Sequence, residues 1–562
     1  MKYQRKLILL LICCMGTTNG AMAYTMSAFA RNIGVTDTIA SSHHLKEVVI
    51  TSDYLKREAD HILAIPTAEQ RKHANNGYDF IRNLMIPGVN VDRNKNIVTT
   101  PVGGATLYIN GREVDSREIM SLRPKDIKCV EYYDMPTGKY AKDAAAINIV
   151  LKEQLTGGYT QVDAKQGLGF LSGNYNLISK YVIRNSHINL WAGYDIQSPK
   201  GSSCEEEDYT FPDYHITRSS TYPDISEKHI NRYVQASFSN QSPTKVWMVK
   251  IGLSHNNQFD YKDNGMLEYA DHISELSETG SEQREKSVTP SLYLYSSWTL
   301  KGNQYIDAVY NGYYSWNRYA MNMNEEQADY STDVSEKYLY SKWNVNYTKE
   351  LKHHNMLTMS MYEFLRISEA DYSNSAAIQH LRSSETILFA DYNQRIGQFM
   401  YDINPGLSYL SYRLRGDKDI THLTPRLQFS ASYKFLQHQL LRLDFALGNT
   451  YPNLNTVNRV DQQVNRLLVK RGNPDMDNSI LLFPRITYNV NFPHLSLSTS
   501  ARYTYLSNAV VGNYYAEGDR MVYSFRSDVR SHTPAVTVSA TYKPSQRLNL
   551  KIDGSWEKNI VN

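Results

Sequence analysis

Few groupings in this 562-residue chain have the residue types for chemistry, and none has the company that catalysis needs. Cys204-Glu205-Glu206-Glu207-Asp208 carries ligands for a cation, yet an unbroken acidic run also reads as a solvated loop. His43-His44 and His353-His354 each offer two imidazoles, but no third ligand is placed beside either pair. No Ser-His-Asp or Cys-His set falls in an order that suggests a nucleophile and its base. No enzyme activity, cofactor or metal centre is therefore expected. Backbone pairing is a stronger signal. In Leu45-Lys46-Glu47-Val48-Val49-Ile50-Thr51 four β-branched residues stand in a row between polar stretches. Such a segment forms a strand with unspent hydrogen bonds, which can join the sheet edge of a partner or open the next domain.

The elements that would position these residues begin with an export signal. Lys2, Arg5 and Lys6 precede an apolar run from Leu7 to about Met15 and then Ala21-Met22-Ala23, the pattern of a cleaved signal peptide over residues 1–23. Ile12 stands before Cys13 where a lipoprotein signal needs a small residue. With Cys13 and Cys14 in the signal, only Cys129 and Cys204 remain, too few for a disulfide framework, and they are expected to be free thiols. A mean hydropathy of -0.51 and the lack of a second long apolar run exclude a helical membrane protein. A net charge of +3 gives no argument for nucleic acid.

From about Gly158 onward the apolar residues recur with a period of two. In 427–435, Leu427, Phe429, Ala431, Tyr433 and Phe435 share one face, and Gln428, Ser430, Ser432 and Lys434 share the other. After the Gln437-His438 turn, Leu441, Leu443, Phe445 and Leu447 alternate with Arg442, Asp444 and Gly448. Tyr (44) far outnumbers Phe (15) and Trp (6), which suits rings at a membrane interface and hydroxyls in a wet lumen. A long series of such strands behind an export signal predicts a mainly β fold: a transmembrane antiparallel β-barrel over 157–562, with lipid outside and water inside.

Residues 24–52 read as a flexible arm ending in the β-branched strand, and 53–156 as a compact α+β domain. A short helical pattern, Tyr78, Ile81, Leu84 and Met85, is broken by Ile86-Pro87-Gly88. Strand-like pieces follow at 96–100, 105–109, 127–133 and 147–151, and Asn110-Gly111 signals a hairpin.

Here the residues resemble a known family. Ile86-Pro87-Gly88-Val89, then 122–127 through Val130-Glu131, Pro136, Tyr140-Ala141 and Ala146-Ile147-Asn148-Ile149-Val150-Leu151-Lys152, resemble the plug of TonB-dependent outer-membrane transporters. The chain departs at three of that family's glycine positions: Met135 precedes Pro136, Ala141 follows Tyr140, and Ala145-Ala146 replace a Gly pair. Alanine lacks glycine's left-handed freedom, so those turns are expected to differ. Arg471-Gly472-Asn473-Pro474-Asp475 resembles the family's Gly-Asn-Pro loop, with Met476 in the Leu place. The resemblance is to tyrosine-rich barrels of the Bacteroidetes type, and it implies that Glu47, Val48, Val49, Ile50 and Thr51 form a TonB box.

The resemblance further implies a plug inside the barrel of a cell outer membrane, a periplasmic TonB-type energy-coupling partner, and a scarce solute such as a siderophore, haem or glycan fragment. A surface lipoprotein partner would favour the glycan. Ligand contacts are expected from long loops at 197–227, 260–285, 323–336 and 451–478. An uncoupled surface-binding or adhesin-like barrel and a passive porin are the alternatives; a porin needs neither plug nor box. The arm is too short for the extra N-terminal domains that many relatives carry. The complete family barrel has about 22 strands. Only about five follow Asn478 here, and Ile560-Val561-Asn562 ends without an aromatic, so a barrel incomplete at its C-terminus, with an open sheet edge, is expected.

Overall fold

The computed structural model describes residues 55–562 apart from 59–60, 93–95, 101–102, 135, 137–139, 141–142, 144, 153–155, 326–327, 353–354, 374–378, 415, 417, 437, 451–453, 493, 543, 545–547 and 549. The signal, the arm, His43-His44, His353-His354 and all five residues of the expected TonB box lie outside the described residues.

The first part folds around one sheet, in the order Leu55–Arg57, Ile62–Ala64, Ile127–Tyr133, Ala145–Leu151, Gly103–Ile109, Ile97–Thr100 and Asn90–Asp92. Ala145–Leu151 lies at its centre, parallel to Gly103–Ile109 and antiparallel to Ile127–Tyr133. Its first five residues are buried without alternation, as a strand covered on both faces requires. Helix Gly77–Leu84 packs Tyr78, Phe80, Ile81 and Leu84 into the same core. Asn76 caps its start by accepting from the Asp79 N–H at 2.9 Å, and Met85 ends it at φ 50°. Asn110-Gly111 makes the expected hairpin, which returns only as far as Arg112–Glu113.

From Thr156 the chain is nearly all antiparallel strand, and the sheet order closes into a ring. The expected open edge is thus replaced by a closed sheet. The seam is nonetheless thinly covered: Thr156–Gln166, paired in register with Leu171–Ile183, and Leu550–Glu557, paired with Arg520–Tyr542, are exposed along most of their length. Among the described residues, five strand segments follow Asn478.

The barrel is built inside out relative to a soluble sandwich. On Ile420–Leu436 the apolar face points outward, with Leu423 65% and Tyr433 48% exposed, while Thr424, Arg426, Ser430 and Ser432 are buried inward. The same inversion puts Leu443 outside and Arg442 and Asp444 inside. The width of the apolar band can be read from one register. Trp298 pairs with Ile306 near one rim, and Val288 pairs with Trp316 near the other. Ten residues span roughly 33 Å of strand, or about 25 Å after a ~40° tilt, the thickness of a lipid core. Just above Val288, Lys286 pairs with Arg318 and charge begins.

Above this band the ladder continues. The regions 197–227, 260–285 and 323–336, expected to be loops, belong largely to Lys200–Thr210, His215–Gln241, Lys245–Asp271, Glu275–Leu300, Gln304–Glu325 and Ala328–Glu350. Outside lipid both faces of a strand are polar, so the hydrophobic alternation vanishes although the backbone pairing persists. The acidic run lies on one of these strands, where Glu205 and Glu207 alternate with Glu206 and Asp208, so the carboxylates do not converge. Among the described residues no three metal-ligating side chains gather, and Cys129 and Cys204 are not joined in a disulfide.

Candidate functional site

Four residues of the plug-like motif meet in one network. Asn148, buried on the central strand, accepts from the Gly111 backbone N–H at 2.8 Å and donates to Glu131 Oε2 at 2.8 Å. One side chain thereby ties the hairpin turn to two neighbouring strands. The Tyr140 ring lies edge-on to Tyr108 at 4.6 Å and 4.7 Å from Tyr133. Tyr108 and Thr106 donate hydroxyls to Asp143, both at 2.7 Å. Burial, reinforced by the charge of Glu113, pushes the Asp143 carboxyl up to about 8. Pro87 and Gly88 are buried in the turn after the helix, with Gly88 at φ 76°, and Pro136 is buried beyond Ile127–Tyr133.

The apolar core of this domain is its own: the cluster from Leu55 to Ile149 contains no barrel residue. Its contacts with the barrel are polar and reach around the ring. Helix Ser116–Met120 is capped by Asp115, whose Oδ1 accepts from the N–H groups of Arg117 and Glu118, both at 3.0 Å. The other oxygen, Oδ2, accepts from Lys250 Nζ at 2.9 Å and Gln235 Nε2 at 3.0 Å. Lys250 also donates to Glu118 Oε1 at 2.8 Å, and Arg112 holds Glu118 from the plug side. Burial alone would raise the Glu118 carboxyl, but Arg112 and Lys250 outweigh it and hold the group well below the carboxylate range. The Arg117 guanidinium lies 4.0 Å from the centre of the Tyr233 ring. Elsewhere on the wall Lys342 meets Glu113 at 3.3 Å, Arg485 donates to the Asp134 carbonyl at 3.0 Å, and Thr541 donates to the Met85 carbonyl at 3.2 Å. Donors from so many strands place the small domain in the lumen as a plug.

At the other end of the barrel the Gly-Asn-Pro segment belongs to a strap across the mouth. Helix Leu454–Val457 sets Val457 against Leu381, Leu410, Tyr412 and Leu414. Further along, Leu467 packs against Tyr209, Phe211, Ile216, Leu267 and Tyr269. The tip is held by Glu325, which accepts from the Arg466 N–H at 2.8 Å, Tyr269 Oη at 2.7 Å and Arg218 Nε at 2.9 Å. Gly472 is where the strap folds on itself, since a Cβ there would stand 2.5 Å from the backbone N and O of Asn458. Asn473 accepts from the Asp475 N–H at 3.0 Å and donates to the Phe525 carbonyl at 2.9 Å, with Pro474 between. Met476, in the Leu place, is buried.

Thus Gly111, Glu131, Tyr140 and Asn148 come together in the plug, while Gly472, Asn473 and Pro474 serve the strap. The plug-to-wall residues, Asp115, Glu118, Lys250, Lys342 and Arg485, escaped the reading of the sequence. A signal existed for Lys250, a cation at an inward position between the outward Val249 and Ile251.

No protein-family model and no curated protein matches this chain. Solved structures do, at low identity. The alcaligin outer membrane receptor FauA from Bordetella pertussis superimposes with a TM-score of 0.52 at 11% identity, covering 96% of this chain and 85% of that one. A ferric enterobactin receptor, PfeA from Pseudomonas aeruginosa, gives 0.57 at 12% identity over 88% and 79%. The copper transporter OprC gives 0.56 at 11% identity over 91% and 80%. The fold is that of TonB-dependent outer-membrane receptors, an α+β plug within a β-barrel.

Proposed function

We propose that this protein is an energy-coupled outer-membrane receptor and transporter for a scarce solute, moved inward when a periplasmic TonB-type protein pulls on the segment Glu47 to Thr51. The observation that carries this reading is the nature of the plug's seat. The plug keeps its apolar core to itself and meets the wall through ion pairs and hydrogen bonds, which water can replace as the plug shifts. A plug welded by shared apolar packing would expose that surface at every cycle. The same occupied lumen speaks against a passive porin. Val49→Pro tests the coupling, because proline removes a ladder donor from the pairing strand. Full-length protein should co-purify with the periplasmic domain of a TonB-type protein, and the variant should not. Equal co-purification sinks the coupling model and favours an uncoupled surface-binding barrel. A siderophore, haem or glycan fragment remains the solute class to test, by growth of a deletion strain on each.

A further inference from the structure

The strand Lys245–Asp271 acts as a ruler for the lumen. At Lys250 it touches the plug, and at Leu267 and Tyr269 it packs against the strap. Between these heights its inward face carries Phe259 and Tyr261, whose rings lie 5.4 Å apart and within 4° of parallel. They form a flat aromatic pair on the inward face of the wall, at a height between the plug contact and the strap contact. His229 stands 5.8 Å from Phe259 and is bound to Glu227. Directly across the register from Phe259 is Glu285. It faces inward, in phase with Tyr293, whose ring lies 6.0 Å from the plug's Arg112.

Two acceptors in this patch have no donor. Glu285 Oε1 is buried without a hydrogen-bond partner, and so is Asn256 Oδ1 on the adjoining strand. A buried acceptor left in this condition is costly, so the pair is suited to meeting donors brought by a ligand. Acidic side chains also predominate locally, with His229 as the basic group near Glu285. Glu227, Asp263 and Glu285 lie on this sector, and His229 is engaged with Glu227. An anionic chelate would meet repulsion here. A neutral sugar could stack on the rings but would leave the carboxylate's charge unmatched.

We propose that Phe259, Tyr261, Glu285 and Asn256 form a recognition subsite for a cationic, donor-bearing group of the solute, an ammonium or guanidinium. The assignment rests on the transport reading, since it places the solute between plug and strap. Aromatic faces attract cations, and the two oxygens accept the donors that such a group carries.

The test is calorimetric titration of the purified full-length protein with agmatine, with maltohexaose and ferric citrate as neutral and anionic comparators. Wild type should bind agmatine in preference to both, and Glu285→Gln and Phe259→Leu should each weaken it at least tenfold. Glu206→Gln, an acid on the opposite face of its strand, should leave binding unchanged. Heat-dependent migration in SDS gels reports whether each variant is folded. Absence of agmatine binding to wild type, or equal binding by folded Glu285→Gln, overturns the assignment. Neither outcome touches co-purification through the Glu47 to Thr51 segment, so a failed subsite and a failed coupling model are told apart.

Discussion

Lys250 of the barrel wall reaches Asp115 of the plug at 2.9 Å, and Asp115 is at the same time the cap of helix Ser116–Met120. The wall is therefore wired to a plug helix through its capping carboxylate as well as through Glu118 within it. Removing the lysine disturbs both the ion pair with the wall and the electrostatics of the cap.

Lys250→Met should loosen the plug. Arg112 still holds Glu118, so the loss is that of charged hydrogen bonds rather than of an isolated buried charge, about 2 kcal/mol. In planar bilayers under a urea gradient the variant should begin to conduct at a lower urea concentration than wild type. Coincident onsets would show that the latch contributes nothing.

Asn148→Ala should destabilise the plug without unfolding the barrel. The Gly111 N–H loses its buried acceptor, at about 1–3 kcal/mol, and Glu131 loses one donor while keeping the Tyr133 hydroxyl. Hydrogen exchange should quicken in Gly103–Ile109 and Ala145–Leu151 and stay unchanged in strands such as Gln304–Glu325. Unaltered exchange in the plug strands would refute the network's role.

Gly472→Ala should lift the strap. The new Cβ would clash with the backbone of Asn458, which cannot rotate away as a side chain can, and such overpacking costs about 1–3 kcal/mol. Trypsin added to intact cells should then cut at Arg466 or Lys470 faster than in wild type. A strap equally resistant in both would mean that the close approach at Gly472 is not needed.

The plug should lose stability as pH rises. Burial lifts the Asp143 carboxyl from 3.8 to about 8, so between these values the folded plug holds a proton that the unfolded chain has released. The stabilisation is full below pH 3.8 and is lost as pH climbs through about 8. Hydrogen exchange of Ala145–Leu151 should accelerate from pH 5 to pH 8 beyond the intrinsic chemical rate, and Asp143→Asn should flatten that excess. A wild-type profile that is already flat would contradict the burial argument.

Much of this could be read before the fold was seen, and the limits are physical. Inside lipid every second side chain must be apolar, so strands such as Ile420–Leu436 announce themselves by period alone. Above the band that constraint lapses, and the strands through 197–227, 260–285 and 323–336 looked like loops because nothing in their side chains reports the ladder. The plug motif was legible at Asn148 and Glu131 through the resemblance of the surrounding residues to a known family, whereas the hydrogen bond that joins the two side chains depends on strand register. The strap was not, since Gly-Asn-Pro indicates a turn and says nothing of what the turn rests on.

The inside-out alternation and the α+β segment ahead of the strands are written in local periodicity and in the solvent each face must meet. Only the tertiary structure decided that Lys250 meets Asp115 and Glu118, that Glu325 holds the strap, and that Phe259 stands opposite Glu285. Those contacts join residues far apart in the chain. Their partners are chosen by barrel register and by the seating of the plug, which no local pattern encodes.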